Sequence, residues 1–179
     1  MKTYLLLLGI FVVGWAMIYA DDNSFQITSP AFTNQGLMPV NTSCKGDNKS
    51  PKLEWKNSPK GTQSFALTCI DPDAPGGNFI HWIIYNIPSQ NHALNAGIDK
   101  TDTLQDGSKQ GLNSFRRVGY DGPCPPPGKP HRYIFTLYAL DSKLDLPARK
   151  NLADLENAIH GHILKQTQLI GLFGAGGNY

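Results

Sequence analysis

Ser64-Phe65-Ala66-Leu67-Thr68-Cys69-Ile70-Asp71-Pro72-Asp73-Ala74-Pro75-Gly76-Gly77 is the stretch on which the fold turns. Its first seven residues are apolar at nearly every position and include aromatic and β-branched side chains. Such a run predicts a central strand covered on both faces, not a half-exposed strand that alternates. Pro72 and Pro75 then fix φ and remove ladder donors, so the strand must end there. Two further runs share this character. One is His81-Trp82-Ile83-Ile84-Tyr85-Asn86-Ile87, closed by Pro88; the other is Arg132-Tyr133-Ile134-Phe135-Thr136-Leu137-Tyr138-Ala139-Leu140. Residues 26–29 and 52–55 are shorter strand candidates, and residues 168–173 read as a closing strand.

One helix is expected. Leu152, Leu155, Ile159 and Ile163 fall at i, i+3, i+7 and i+11, with Asn151 as N-cap and Asp154 at the third helical position. Gly161 weakens its last turns by up to ~1 kcal/mol. Residues 89–119 are polar and rich in Gly, Asn and Asp, a long excursion and not a core element.

The chain has 179 residues. Lys2 precedes an apolar run from Tyr4 to Tyr19, Ala20 offers a small residue for cleavage, and Asp21-Asp22 opens a polar chain. This is the layout of a secretory signal peptide over residues 1–20; a retained anchor is the alternative. Residues 21–179 then form one domain, exported to the periplasm or secreted. Those 159 residues hold sixteen Gly and thirteen Pro, above the roughly 12% expected, so the domain is turn-rich and not a helix bundle. The formal charge of +2 argues against a nucleic-acid binder that works by phosphate neutralisation. It leaves room for a small anion site.

Three groups of residues could carry chemistry. Asp71 and Asp73 stand two residues apart at the open end of a strand; the local alternative is an Asx-type turn in which each carboxylate caps backbone N–H groups. His81 heads the next strand, separated from Asp73 by only seven residues, Ala74 to Ile80, so the two lie at one end of the sheet if the strands are neighbours. Strict alternation would place His81, Ile83, Tyr85 and Ile87 on one face. The third group is residues 119–133, where five prolines between 123 and 130 stiffen a loop. That loop delivers His131 and Tyr133 to one face of a strand, and Gly122 leaves room for close approach to the backbone. In each case a structural role is the competing reading. Three motifs fail. Residues 122–129 have the wrong spacing for a phosphate loop and Pro at the donor positions. Gly174-Ala175-Gly176-Gly177 has no helix after it. His160 and His162 point apart on a helix, so no metal is expected. Asn41-Thr42-Ser43 and Asn48-Lys49-Ser50 match the N-glycosylation sequon.

Taken in order, Asp71-Pro72-Asp73-Ala74-Pro75, His81-Trp82, Gly122-Pro123 and His131-Arg132-Tyr133 resemble the phosphatidylethanolamine-binding proteins, also called the Raf kinase inhibitor protein family. Cys44-Lys45-Gly46, Ser50-Pro51, Leu53-Glu54-Trp55 and Gly122-Pro123-Cys124-Pro125-Pro126 resemble its bacterial and archaeal branch. The resemblance runs over about residues 25–173. It implies a mainly β fold, an antiparallel β-sandwich with one or two peripheral helices. It also implies a surface pocket for phosphate-like anions and phospholipid head groups, formed by Asp71, Asp73, His81, Gly122, Pro123, His131 and Tyr133. Animal members carry a C-terminal helix beside the pocket; here the chain stops soon after the last strand, so a more open pocket is expected.

The chemistry of such a pocket is readable from its residue types. A carboxylate beside His81 should favour imidazolium and raise its pKa above the unperturbed ~6.5. His131 could act likewise, Tyr133 adds a neutral donor, and the carboxylates accept from a monoprotonated phosphate or an ammonium. The leading expectation is an exported binding protein without enzymatic activity and without a cofactor. An inhibitor or regulator of a protease or other enzyme, working through the same pocket, is the alternative. A hydrolase with His81 or His131 as general base ranks third, because no nucleophile or metal set accompanies the histidines. A homodimer is left open. Of the three cysteines, Cys69 sits in an apolar strand and is expected to be a buried thiol. Cys44 and Cys124, both in turn segments, are the candidate disulfide, with two free thiols as the alternative.

Overall fold

The computed structural model describes residues 23–175. The leader expected over residues 1–20 lies outside them. The order of elements is β1 (Gln26–Thr28), β2 (Gly36–Leu37), a 3-10 turn (Val40–Thr42), β3 (Leu53–Lys56), β4 (Ser64–Asp71), β5 (Phe79–Pro88), β6 (Ala93–Leu94), β7 (Lys109–Gln110), β8 (His131–Leu140), α1 (Leu152–Ile159) and β9 (Ile163–Phe173). The fold is mainly β. A six-stranded sheet runs β2-β9-β8-β4-β5-β7 and a three-stranded sheet runs β1-β3-β6. All strand pairs are antiparallel except β2 with β9.

The apolar run that opens the sequence argument, β4, is the centre of the large sheet, between β8 and β5. Its alternate residues feed two cores. Phe65, Leu67 and Cys69 join Trp82, Ile84, Phe135 and Leu137 of the neighbouring strands, and meet Ile27, Leu53, Trp55 and Leu94 from the small sheet. That shared core makes the two sheets a sandwich. Ala66, Ile83, Tyr85 and Leu140 point to the other face, where Leu144, Leu146, Leu155 and Ile159 cover them. A strand with an apolar layer on each side must be apolar at every position, which is why β4 shows no alternation.

Three expectations need correction. Strict alternation along β5 fails, because the register against β4 slips twice, between Cys69 and Ile70 and between Phe65 and Leu67. The first slip inserts an extra residue near His81 and Trp82. Trp82 enters the shared core while His81 packs its ring against Tyr133, a member of that same core. The second slip falls beside Asn86, at φ 56°. It returns Ile87 to the shared core, while Ile83 and Tyr85 face the helix. Bulges of this kind re-aim side chains next to functional sites.

The helix stops at Ile159 and does not reach Ile163. His160 is extended and Gly161 takes φ 82°, a left-handed conformation that ends a helix. Asn151 and Asp154 form the expected capping box. Ile163 instead opens β9, which runs eleven residues and not the six expected. The sequence hides its first half because Ile163, Leu164, Lys165, Gln166 and Gln168 are exposed on both faces, so no apolar period marks it.

Candidate functional site

In an antiparallel sheet the end of one strand lies beside the starts of its neighbours. Asp71, the last residue of β4, pairs with Phe79 at the start of β5, and Ile70 pairs with Ile134 near the start of β8. Asp71, His81, His131 and Tyr133 therefore meet at one end of the large sheet without any special bend of the chain. They line a cavity of about 210 Å3, walled by Phe79, Phe115, Pro125 and Pro126 and reached by Cys124.

The polar groups of this cavity are tied down in pairs. Asp71 is buried; its Oδ1 accepts from the Asp73 N–H at 2.8 Å and its Oδ2 from His131 Nδ1 at 2.8 Å. The Asx-turn reading of Asp71 and the pocket reading are thus both present, one on each oxygen. His81 Nδ1 donates to the Asp121 carbonyl at 2.5 Å. With Nδ1 committed, Nε2 is the ring nitrogen the cavity can use. The imidazole is clamped between aromatic edges, 5.1 Å from Tyr133, 5.2 Å from Phe79 and 6.0 Å from Phe115, centroid to centroid. Tyr133 is fully buried; its Oη makes no hydrogen bond of ordinary geometry, and the Asp71 carboxylate is the side-chain acceptor that acts on it. Burial, then the nearby Asp71 carboxylate, pushes this phenol far above its ordinary range, so it is a neutral donor at every working pH.

The electrostatics of His81 reverse the expectation. Burial lowers its pKa below the ordinary 6.5 and outweighs the opposing pull of the Asp121 carbonyl and the Asp71 and Asp121 carboxylates. The neighbouring acid is where the sequence placed it, but the desolvation of a ring 3% exposed is larger. His81 is therefore neutral at pH 7.

Of the seven residues carried by the resemblance, four line the cavity and three do not. Asp73 turns away to Arg132, which holds it through Nε at 2.9 Å, Nη2 at 2.6 Å and its backbone N–H at 2.9 Å. The Arg132 guanidinium, bonding to the side chain, keeps the Asp73 carboxyl down at about 2. Asp73 borders instead a neighbouring groove formed with Pro126, Lys129 and Pro130. Gly122 does allow close approach, but of the protein's own backbone: a Cβ there would stand 1.9 Å from the Thr42 carbonyl oxygen. Its N–H is spent on Asn48 Oδ1 at 2.6 Å. Pro123 uses its carbonyl to receive the Cys44 N–H at 3.0 Å.

These contacts reveal a seam between residues 119–124 and the loop at 42–48. Tyr120 Oη donates to the Thr42 carbonyl at 2.8 Å, Asn48 Nδ2 to Asp121 Oδ1 at 3.0 Å, and Cys44 is bonded to Cys124 across a Cα separation of 5.4 Å. Cys69 is the remaining thiol and is buried. Asn48 of the second sequon is half-buried, and both ends of its amide are engaged across this seam. Among the described residues no group of His, Cys, Asp and Glu is arranged to hold a metal ion.

Sequence reasoning missed Phe79, Phe115 and Asp121. Phe79 shares parity with His81 and would have been found had the strand been started two residues earlier. Phe115 is a lone aromatic inside a polar stretch, and its T-shaped contact with Phe79 at 4.8 Å is long-range. Asp121 acts on the cavity through a backbone oxygen, for which no side-chain pattern exists.

Similarity to known proteins agrees with this architecture. The family model described as phosphatidylethanolamine-binding protein matches residues 28–174. A UPF0098 protein of Methanothermobacter thermautotrophicus is 44% identical over 146 residues, 82% of this chain and 96% of its own length. The crystal structure of PEBP homolog CT736 from Chlamydia trachomatis superposes with a TM-score of 0.78 at 36% identity, over 85% of this chain and 98% of that one. Escherichia coli YbcL, described as a member of the mammalian PEBP family, gives a TM-score of 0.78 at 32% identity, over 84% and 98%. With the strand order, the sheet-end cavity and these matches together, the chain belongs to the phosphatidylethanolamine-binding protein family, in its bacterial and archaeal branch.

Proposed function

We propose that this is an exported binding protein whose cavity takes a phosphate-type oxyanion, free or as a phospholipid head group, and carries out no reaction on it. The observation that carries this reading is Tyr133, a cavity-lining residue whose buried hydroxyl makes no hydrogen bond of ordinary geometry. An unsatisfied buried polar group forfeits ~1–3 kcal/mol, which a ligand oxygen would restore. His81 and His131 line the same cavity, and Asp71 supplies the acceptor for a ligand proton or an ammonium. The volume of about 210 Å3 is below the roughly 300–1,000 Å3 of drug-sized sites, which suits a head group and not an acyl chain. The sulfur that reaches the cavity, Cys124, is held in the disulfide, so it offers no free nucleophile. Export is supported by the charged and apolar pattern of residues 1–20 and by that same disulfide, since such bonds persist in oxidising compartments.

Calorimetric and 31P NMR titration with inorganic phosphate and O-phosphoethanolamine tests the reading. Tyr133→Phe keeps the ring and removes only the donor, and should weaken both ligands at least about tenfold. Equal affinity in wild type and Tyr133→Phe would place the site elsewhere.

A further inference from the structure

Away from the cavity, backbone strain and charge coincide at one place. Six non-glycine residues among those described have left-handed backbone: Gln35, Asn48, Asn57, Asn86, Arg116 and Arg149. Asn tolerates this region and needs no special account. Arginine has no such excuse, and Arg116 at φ 61° and Arg149 at φ 67° both line the same open groove of about 520 Å3, together with Asn48. Strained residues held at a concave site are a pointer to function.

The donors of this groove are in surplus. Its floor is the buried carboxylate of Asp121, which is fully occupied. Oδ1 accepts from Asn48 Nδ2 at 3.0 Å and Lys100 Nζ at 2.9 Å; Oδ2 accepts from Asn113 Nδ2 at 2.8 Å and Arg117 Nε at 2.9 Å. Arg117 spends only Nε there, which leaves both of its Nη groups. Arg149 gives Asp102 one bond, from Nη1 at 3.2 Å. Arg116 is exposed and has no acidic partner among the described residues. Lys100, Arg116, Arg117 and Arg149 thus face two carboxylates, Asp102 and Asp121, one of them already saturated. Guanidinium groups fix oxyanions by paired N–H bonds, and three arginines line this groove.

We propose that this groove is a second oxyanion site, separate from the cavity, which takes a phosphate- or sulfate-type group on Arg116, Arg149 and the free Nη groups of Arg117. The inference does not depend on what occupies the cavity. The two sites adjoin at two residues: Phe115 of the cavity wall lies under the Arg117 guanidinium at 5.1 Å, and Asp121 gives its carbonyl to His81 and its carboxylate to the groove.

The test is a titration of the 15N-labelled domain, residues 21–179, with inorganic phosphate, followed at the arginine Nε–Hε signals and the amides of residues 116–118. These signals should shift saturably in wild type and equally in Tyr133→Phe, whose cavity signals need at least about tenfold more phosphate. In Arg116→Asn/Arg149→Asn the groove affinity should drop at least about tenfold. Asn keeps a residue that accepts left-handed backbone, and unchanged cavity signals report that this variant is folded. The proposal is overturned if the groove shifts do not saturate, if sodium chloride at equal ionic strength reproduces them, or if the double variant responds as wild type does. Cosedimentation with phosphatidylglycerol vesicles but not phosphatidylcholine vesicles, lost in the double variant, would identify the group as a lipid head group. Saturable phosphate binding without cosedimentation would identify a soluble ligand of the same chemistry.

Discussion

His81 carries the largest gap between what neighbours suggest and what burial imposes. Asp71 and Asp121 lie close enough to favour imidazolium, yet desolvation wins and the ring is neutral near pH 7. An incoming oxyanion changes that balance, because it is an opposite charge inside the same dry cavity. Binding should therefore draw a proton onto Nε2, and affinity should rise as pH falls from 7.5 through 6.5 to 5.5. Sulfate is the probe of choice, since its own charge is constant over this range. Followed at the cavity signals, His81→Gln should remove the pH dependence as well as most of the cavity's affinity. A pH-independent wild-type affinity for sulfate would assign the work to Tyr133 and His131 alone. The same depressed pKa has a second consequence. The unfolded chain takes up its proton near pH 6.5 and the folded chain only below that, so stability contributed by neutral His81 is intact above about pH 6.5 and declines as pH falls toward the folded value. Thermal unfolding between pH 7.5 and 5 should show this decline, and saturating sulfate should flatten it. Asp73 adds an acid limb of opposite cause: its value of about 2, held by Arg132, makes its contribution complete above about pH 3.8 and lost on acidification toward 2. Residue types told which groups could titrate; only the packed ring of Phe79, Phe115 and Tyr133 tells how dry His81 is.

Strands and turns were more legible than the directions of single side chains. β4, β5 and β8 are readable because double-sided burial forces continuous apolar runs, and antiparallel pairing then brings Asp71, His81, His131 and Tyr133 to one end whatever the details. Asp73 was placed with them by the family resemblance; the strand has ended by then, and the turn sends its carboxylate to Arg132. The first half of β9 was illegible because it has no buried face to impose a period. Gly122 was read correctly as a point of close approach, with the wrong partner. Its φ is not left-handed, so the requirement is space alone. Gly122→Ala would drive a methyl group to 1.9 Å from the Thr42 carbonyl, where backbone on both sides resists movement. Destabilisation at the upper end of the ~1–3 kcal/mol of overpacking is expected, measured by urea unfolding. Asn151→Ala makes a contrasting control on the opposite face of the sheet. Loss of its capping box should cost about 1 kcal/mol and leave oxyanion binding unchanged, whereas Gly122→Ala should disturb both.

At the level of the whole molecule, the seam between residues 42–48 and 119–124 decides whether the cavity is a fixed site. β8 sets one wall through His131 and Tyr133, but the opposite wall is loop, and loops keep shape only where something holds them. Here five contacts do so: Tyr120 to Thr42, Gly122 and Asp121 to Asn48, Cys44 to Pro123, and the Cys44–Cys124 bridge. The bridge spans 80 residues, including β3, β4 and β5. Loop-closure entropy alone would credit it with roughly 4–5 kcal/mol, and measured bridges commonly deliver less. Both cysteines are exposed, so a reductant can reach the bond without unfolding the domain. Cys44→Ser/Cys124→Ser should therefore lower the urea midpoint of the oxidised protein, and dithiothreitol should bring wild type down to the same midpoint while leaving the variant unmoved. Because Cys124 reaches the cavity beside Pro125, the same change should weaken phosphate binding under conditions where both forms are fully folded. If the variant and wild type bind phosphate equally, the hydrogen bonds of the seam hold the wall by themselves and the bridge serves stability alone. If their midpoints also coincide under oxidising conditions, the two thiols are not joined in solution and the seam rests on Asn48 and Tyr120.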